Sequence, residues 1–224
     1  MPTATLVTLG CKVNQYESQM MQSKLRRTGY TLVDETNPAD LVIINSCTVT
    51  NFSDRKARQL VRRATRANPD AKVIVTGCYA ESGKKELENI PGVAKVFGNK
   101  EKYSLLNHLE ELELPTEVPN STATSHCEEQ LDSFNELEGN QPNHRTRALL
   151  KVQDGCSAFC TFCIIPYVRG RMQSRPLDEI VAETHEFANE GFAEVVLTGI
   201  HLGSYGKDIK KRASLTDIVR SIHG

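Results

Sequence analysis

The first hundred residues alternate short runs rich in β-branched residues with stretches of helical character, and this rhythm constrains the fold more than any other feature. The runs cover residues 5–9, 40–45 and 72–76. Each is followed by a segment with helix character, which is typical of parallel strands joined by crossover helices. We therefore predict an α/β fold whose N-terminal part is a parallel-sheet, three-layer domain.

The clearest helix in the sequence covers residues 51–67. Asn51 is a suitable N-cap, Asp54 would lie in the first turn, and Asn68-Pro69 would end the helix. The helical spacing predicts an apolar stripe that faces the sheet, formed by Ala57, Leu60, Val61 and Ala64. Basic residues recur on the opposite face at gaps of three and four: Arg55, Arg58, Arg62 and Arg66. This basic face is either a surface for phosphate contact or a solvated helix face.

Three cysteines, Cys156, Cys160 and Cys163, form a CxxxCxxC run in the second half of the chain. Cluster iron prefers thiolate, and these gaps let one loop bring three thiolates to a single cubane while one iron keeps a free position. A tetrahedral zinc site normally has four protein ligands, and no histidine lies within this loop. The spacing favours an iron-sulfur cluster, with zinc, a redox dithiol or buried structural cysteines as alternatives.

A second set of cysteines is dispersed in sequence but shares one local setting. Cys11, Cys47 and Cys78 each follow a predicted strand. The carboxyl ends of parallel strands meet at one edge, where ligand sites of open α/β sheets form, so we expect these thiols to converge. Gly10 and Gly77 would let the backbone approach a bulky cofactor. The alternative is that these cysteines are small buried hydrophobes, and Cys127 is expected to be a free surface thiol.

Composition and charge indicate which partners and which cellular compartment to expect. The net charge of -1 gives no overall attraction to nucleic acid, so a polyanion would be held by local patches. No secretory signal or membrane span is evident, and we expect a cytoplasmic protein. In a reducing compartment, seven cysteines indicate metal binding or catalysis rather than disulfides.

The texture of the sequence changes after residue 100. Residues 101–144 are acidic and rich in Pro, Asn, Ser and Thr, which predicts a short helix over 105–112 followed by a linker. A second α/β pattern then begins, with strands at 147–152 and 193–197 and helices at 177–189 and 214–222. We therefore divide the chain into an N-terminal domain over 1–100, the acidic segment over 101–144, and a second domain over 145–224.

With these motifs the sequence resembles the methylthiotransferases of the radical S-adenosylmethionine (SAM) superfamily. The resemblance lies in the segments 10–18, 45–50 and 152–171, which contain GCKVNQYES, NSCTVT and the CxxxCxxC loop through Arg169-Gly170-Arg171. It is greatest to the branch that modifies threonylcarbamoyladenosine in tRNA. Sibling branches act on isopentenyladenosine in tRNA and on a ribosomal protein.

The resemblance implies two [4Fe-4S] clusters and SAM as cofactors. Cys156, Cys160 and Cys163 would hold the cluster that binds SAM and releases a 5′-deoxyadenosyl radical, which would abstract hydrogen from C2 of the adenine. An auxiliary cluster, which carries the sulfur, would be held by Cys11, Cys47 and Cys78. The product would be tRNA methylthiolated at C2 next to the anticodon, with a second SAM as methyl donor and an external reductant such as a flavodoxin or ferredoxin.

Other residues acquire candidate roles through the same resemblance. Phe162, Arg171 and Gly199 are expected to contact SAM, with core burial as the alternative for Phe162 and a plain turn for Gly199. Asn14 and Gln15 would face the substrate or cap the following helix. Weaker candidates follow Gly199 in the same loop: His201, Tyr205 and Asp208. Arg169, Arg171 and Arg175 form a basic cluster that would reach the tRNA backbone or the SAM carboxylate.

The resemblance also implies a longer protein than the sequence given. Family members complete a partial β/α barrel and add a C-terminal RNA-binding domain, so the second domain is expected to be only the first part of a radical SAM barrel. Three functional alternatives follow: the methylthiotransferase, acting on threonylcarbamoyladenosine or isopentenyladenosine; an inactive cluster-binding fragment; and an iron-sulfur electron carrier.

Overall fold

A five-stranded parallel sheet forms the centre of the N-terminal half. The computed structural model describes residues 1–103, 105–109, 147–210 and 213–223. The strands lie in the order β2-β1-β3-β4-β5. Their bounds are β1 Thr3–Thr8, β2 Thr31–Leu32, β3 Leu41–Ser46, β4 Lys72–Gly77 and β5 Val93–Val96. The predicted parallel sheet is confirmed, and it contains two strands, β2 and β5, that the sequence pattern did not indicate.

Helices cover both faces of this sheet. They are α1 (Lys12–Arg27), α2 (Asn51–Ala67), α3 (Cys78–Ser82) and α4 (Lys84–Glu88). Alternate residues of the central strands point to opposite faces. Val42, Ile44, Val73 and Val75 pack with α2, α3 and α4, whereas Leu41, Ile43 and Ile74 pack with α1 and with a 3-10 turn over Leu105–His108. The result is the predicted three-layer domain.

Helix α2 has the predicted bounds but a different cap. Ala57 and Val61 are fully buried, and Leu60 and Ala64 pack against the same core. The N-cap is Thr50, whose hydroxyl accepts a hydrogen bond from the amide of Ser53, so the prediction of Asn51 as the cap is wrong. Thr50 has the extended backbone that a cap requires, whereas Asn51 is already helical.

The second half contains a parallel pair of strands with a helix between them. The elements are β6 (Arg147–Lys151), β7 (Gln153–Asp154), α5 (Ile165–Val168), β8 (Gln173–Ser174), α6 (Leu177–Asn189), β9 (Glu194–Thr198) and α7 (Leu215–His223). β6 pairs with β9 in parallel, and β7 pairs with β8 antiparallel. Leu150, Val152, Ile180 and Phe187 form the core of this half with Ile218 of α7.

Two sequence predictions fall partly or wholly outside the described residues. The helix expected over 105–112 is a 3-10 turn at Leu105–His108, and positions 110–112 are not described. The acidic linker and Cys127 also lie outside the described residues. Within the part of the chain that the structure covers, no helix is long and apolar enough to cross a membrane.

Candidate functional site

Cys11, Cys47 and Cys78 lie at the carboxyl edge of the parallel sheet, as their sequence positions predict. Asn45 of β3 is in register with Thr8 of β1 and with Thr76 of β4, so the three cysteines follow neighbouring strand ends. Cys47 and Cys78 are 5% and 3% exposed, while Cys11 is exposed at the start of α1. Two buried thiols and one open thiol therefore share this edge.

Two glycines allow the strand ends to approach each other. Gly10 has φ +112°, and a Cβ there would lie 2.8 Å from Cys47 Cβ and 3.0 Å from its Sγ. Gly77 has φ +95°, and a Cβ there would lie 2.4 Å from the carbonyl oxygen of Ser46. Both positions combine a left-handed backbone with no room for a side chain. Glycine is therefore required where the loops carrying Cys11 and Cys78 pass the loop of Cys47.

Asn14, in the first turn of α1, connects two loops at this edge of the sheet through hydrogen bonds. Its amide nitrogen donates to the carbonyl oxygens of Leu9 at 2.8 Å and Ser46 at 3.0 Å. Its Oδ1 accepts from Arg169 and lies 3.8 Å from Cys11 Sγ. Gln15, the other predicted substrate residue, is exposed. The buried amide of Asn14 thus joins the loops of Cys11 and Cys47, and Gln15 faces solvent beside them.

Cys156, Cys160 and Cys163 lie in the loop between β7 and α5. Cys156 donates its amide to the carbonyl oxygen of Gly170 at 3.1 Å, and Cys163 donates to that of Cys160 at 2.9 Å. Gly155 has φ +63°, and a Cβ there would lie 2.1 Å from the carbonyl oxygen of Arg171. All three thiols are partly or fully exposed. Backbone hydrogen bonds therefore fix the base of the loop, while its thiols are accessible to solvent.

The predicted SAM-contacting residues differ in their exposure and contacts. The Phe162 ring is 92% exposed, so burial in the core, its alternative, does not occur. Arg171 is exposed. Gly199 directly follows β9, and a Cβ added to Gly199 would lie 3.1 Å from Gln153 Oε1. The same oxygen accepts hydrogen bonds from the backbone amides of Ile200 at 2.9 Å and His201 at 2.8 Å.

The weaker candidates after Gly199 have different environments. His201 Nδ1 lies 3.8 Å from Cys156 Sγ, next to the thiol loop. The Tyr205 hydroxyl donates to the carbonyl oxygen of Arg175 at 2.8 Å, and Asp208 accepts from the amide and hydroxyl of Ser174. Only His201 of these three is placed beside a cysteine; the others hold the loop to β8.

A buried ion cluster lies between the two sets of cysteines, and sequence reasoning missed it. Glu17 of α1 is at its centre, with Lys102 Nζ at 2.7 Å, Lys151 Nζ at 3.3 Å and Arg169 Nη1 at 3.0 Å. Arg169 Nη1 also lies 2.9 Å from Asp154 Oδ1. Glu17 and Arg169 have side chains 1% exposed. The cluster therefore joins the first helix of the sheet domain to the base of the CxxxCxxC loop.

Arg169 and Arg175 correct one sequence prediction. Both were expected to reach tRNA backbone or the SAM carboxylate. Arg169 instead lies in the ion cluster, and Arg175 Nη1 donates to Glu183 Oε2 at 2.6 Å and to the carbonyl oxygen of Lys151 at 2.9 Å. Buried guanidinium groups in such contacts are not available to a phosphate, so the prediction is wrong for these two residues. Local spacing gave no signal, because Glu17 and Arg169 are 152 residues apart.

Burial and charge shift the ionisation of two groups near the sheet edge. Burial alone would raise the pKa of Glu17, but Lys102, Lys151 and Arg169 overcome it and hold the pKa well below its usual range. Burial raises the pKa of the Cys78 thiol, and Arg169 opposes that shift. The ion cluster therefore supplies positive potential beside Cys78.

The donor set fits clusters that are held by thiolates. Each site offers three cysteines, the ligands that iron-sulfur clusters use, and each has glycines where the backbone must pass closely. Within the described residues, no group of three His, Cys, Asp or Glu side chains is arranged for a single metal ion.

Comparisons with known proteins agree with this arrangement. Residues 3–98 match the model of an uncharacterized protein family, UPF0004, and residues 150–222 match the radical SAM superfamily. The fold is similar to that of the radical SAM methyltransferase TsrM from Kitasatospora setae, solved with cobalamin and a [4Fe-4S] cluster. The TM-score is 0.53 at 16% identity, over 88% of this chain and 49% of that one. The first half therefore matches UPF0004 in sequence, the second half matches the radical SAM superfamily in sequence, and the chain shares its fold with this solved structure.

Sequence identity to individual relatives indicates which branch of these enzymes the chain is most similar to. The chain is 41% identical to the threonylcarbamoyladenosine tRNA methylthiotransferase MtaB of Bacillus subtilis over 94% of its length, and 41% identical to that of Aquifex aeolicus over 90%. It is 32% identical over 96% of its length to a tRNA-2-methylthio-N(6)-dimethylallyladenosine synthase of Fervidobacterium nodosum. The two family matches and these relatives support a radical SAM methylthiotransferase of the MtaB type. The chain covers 46% to 48% of these relatives' lengths.

Proposed function

We propose that the protein transfers a methylthio group to C2 of N6-threonylcarbamoyladenosine next to the anticodon of tRNA. The observation that carries the proposal is the pair of three-cysteine sites, one at the edge of the sheet and one in the CxxxCxxC loop, joined by a buried ion cluster. Two separate thiolate sites in fixed relation suit a reaction that needs a radical source and a sulfur source.

Each site would hold one [4Fe-4S] cluster through its three thiolates. The ligands of the auxiliary cluster would be Cys11, Cys47 and Cys78; those of the SAM-binding cluster would be Cys156, Cys160 and Cys163. When bound, the clusters and SAM supply the electron, the radical precursor, the sulfur and the methyl group of the reaction.

The protein's own residues would position the reactants. Phe162, whose ring is exposed, would cover the SAM adenine, and Arg171 would attract the SAM carboxylate. Gln153 fixes the backbone at Ile200 and His201, which holds the Gly199 turn close to the thiol loop. Near the other site, Gln15 would face the substrate nucleoside, and Asn14 would orient the Cys11 loop beneath it.

The proposal includes the organisation and setting of the protein. Residues 1–100 would act as the auxiliary-cluster domain and residues 145–224 as the beginning of the radical SAM domain, connected by 101–144. The partners would be tRNA and an external one-electron donor such as a flavodoxin or ferredoxin, in the cytoplasm. A substrate carrying isopentenyladenosine is the second candidate, and the higher identity to relatives named for threonylcarbamoyladenosine favours the first.

Product analysis tests the proposal directly. The reconstituted protein would be incubated with SAM, dithionite and tRNA carrying either threonylcarbamoyladenosine or isopentenyladenosine, and the nucleosides would be examined by mass spectrometry. We expect methylthiolation of the first substrate, formation of 5′-deoxyadenosine, and loss of both in a variant with Cys156, Cys160 and Cys163 changed to Ala. Methylthiolation of the second substrate alone would overturn the assignment. Clusters without 5′-deoxyadenosine would indicate an electron carrier or an inactive cluster-binding chain.

A further inference from the structure

The outer face of α2 carries an exposed aromatic residue and several exposed basic residues. A helix turns by about 100° per residue, so five exposed residues fall within about 40° of one line along this helix. They are Phe52, Lys56, Gln59, Arg63 and Arg66, which we call the basic track. Arg55 and Arg62 flank it and are also exposed, while Ala57 and Val61 face the core on the opposite side. The track is about 21 Å long.

Within the part of the chain that the structure describes, the three cations of the basic track form no ion pair. Among the described residues, no carboxylate lies within ion-pair distance of Lys56, Arg63 or Arg66. Arg58, which the sequence grouped with this face, instead turns to Glu86 at 3.1 Å and contacts Tyr79. A shallow groove of about 460 Å³ lies along the C-terminal part of the face, lined by Gln59, Arg62, Arg63, Arg66 and Ala67. An unpaired row of this kind suits a polyanion.

Phe52 gives the track a defined beginning. It is 74% exposed and lies in the first turn of α2, five residues after Cys47, near the sheet edge that carries the first three cysteines. Exposure of a large ring costs free energy in water, and a nucleobase stacked on it would remove that cost. A solvated helix face needs its charges but does not need this aromatic residue.

We propose that the basic track binds the phosphates of an RNA hairpin and that Phe52 stacks on one of its unpaired bases. The inference rests on the proposed tRNA substrate and adds the surface that positions it. RNA suits the track better than an acidic protein or a lipid surface, because RNA offers both a row of phosphates and unstacked bases that can reach an aromatic ring. The stacked base would then lie at the Cys47 end, and the phosphates would run toward Arg66.

The charge part of the proposal is tested by the salt dependence of RNA binding. Affinity of the reconstituted protein for a fluorescent stem-loop RNA would be measured by anisotropy at several salt concentrations. In K56Q/R63Q/R66Q we expect the slope of log affinity against log salt to fall by about 2, and affinity at 0.1 M salt to fall about 100-fold. The matched control K24Q/R26Q/K85Q removes the same charge from exposed positions elsewhere and should keep the wild-type slope.

The stacking part needs a variant that keeps the charge. Phe52→Ala is expected to weaken binding of the stem-loop by about fivefold to 150-fold, with little effect on a fully paired duplex of the same stem. Phe52→Trp should restore binding because it keeps a π-face. Val219→Ala removes another exposed apolar side chain, one on α7, and should leave affinity unchanged.

Several outcomes would overturn the inference. These are no binding of the stem-loop by the wild-type protein, equal loss in both charge variants, equal loss of duplex and stem-loop in Phe52→Ala, or tighter binding to anionic vesicles than to RNA. The proposed function is judged separately, by 5′-deoxyadenosine formation and by the methylthiolated nucleoside. If the enzyme is active but its track variants bind RNA with wild-type affinity, the proposed RNA-binding surface is refuted and the proposed function is not.

Discussion

Replacing Glu17 with Gln would test whether the buried ion cluster holds the two halves of the protein together. Glu17 contacts Lys102, Lys151 and Arg169, and its side chain is 1% exposed. Gln keeps the shape but removes the charge. Asp154 then remains as a carboxylate partner of Lys151 and Arg169, with its side chain 23% exposed.

The expected cost follows from that imbalance. Removing one partner of a buried ion pair typically costs about 3–5 kcal/mol, because the remaining charge is left without compensation. Here three cations lose their shared partner, so the upper part of that range applies. With a denaturant dependence of about 2–3 kcal/mol per molar urea, the unfolding midpoint should fall by roughly 1.3–2.5 M.

The cost can be measured by urea unfolding followed by far-UV circular dichroism, because the chain contains no tryptophan whose fluorescence could report unfolding. Glu86→Gln is the matched control, since Glu86 pairs with Arg58 at the surface with 64% of its side chain exposed. An exposed pair contributes about 0–1 kcal/mol. The double variant Glu17→Gln with Lys102→Met should cost less than the sum of its singles, because it removes a cation together with the carboxylate that neutralises it.

A cost for Glu17→Gln within about 1 kcal/mol of the Glu86→Gln cost would refute this reasoning. So would strict additivity of the double variant. Either result would mean that water or an unpaired carboxylate compensates these cations, and that the contacts of Arg169 with Glu17 and Asp154 do not fix the two cysteine sites relative to each other.

Three further predictions follow from local geometry. Gly155→Ala should destabilise the CxxxCxxC loop and lower iron content, since a Cβ would lie 2.1 Å from Arg171 O; Gly170→Ala, with φ +78° and open space, should cost only about 1 kcal/mol from backbone strain. Thr50→Ala should cost about 1 kcal/mol in urea unfolding, and Asn51→Ala much less, because Thr50 is the cap of α2. Leu150→Ala should cost about 2–5 kcal/mol, because the side chain is fully buried in the core of the second half.

Periodicity alone predicted the parts of the fold that local sequence controls. The bounds of α2 and α6 match the predicted helices, because each has a complete apolar stripe and a clear end. The position of Cys11, Cys47 and Cys78 at one edge of the sheet could also be predicted, since adjacent parallel strands must end at the same edge. These inferences needed no knowledge of which residues meet across the chain.

Contacts between residues that are distant in sequence could not be predicted from local patterns. The position of Arg169 after a cluster motif predicts contact with a phosphate, yet Arg169 pairs with Glu17, 152 residues away. Nothing near Glu17 in sequence indicates three cations around it, because Lys102, Lys151 and Arg169 come from three separate segments. The cap of α2 was misplaced for a smaller reason: Thr50 and Asn51 are both good capping residues, and only the backbone separates them.

Iron and sulfide analysis tests the central claim most directly, namely that each set of three cysteines holds its own cluster. After anaerobic reconstitution the protein should contain about eight irons, falling to about four when Cys11, Cys47 and Cys78 are changed to Ala and equally when Cys156, Cys160 and Cys163 are changed. Fewer than about two irons in the wild type, or iron content that neither variant alters, would contradict the account.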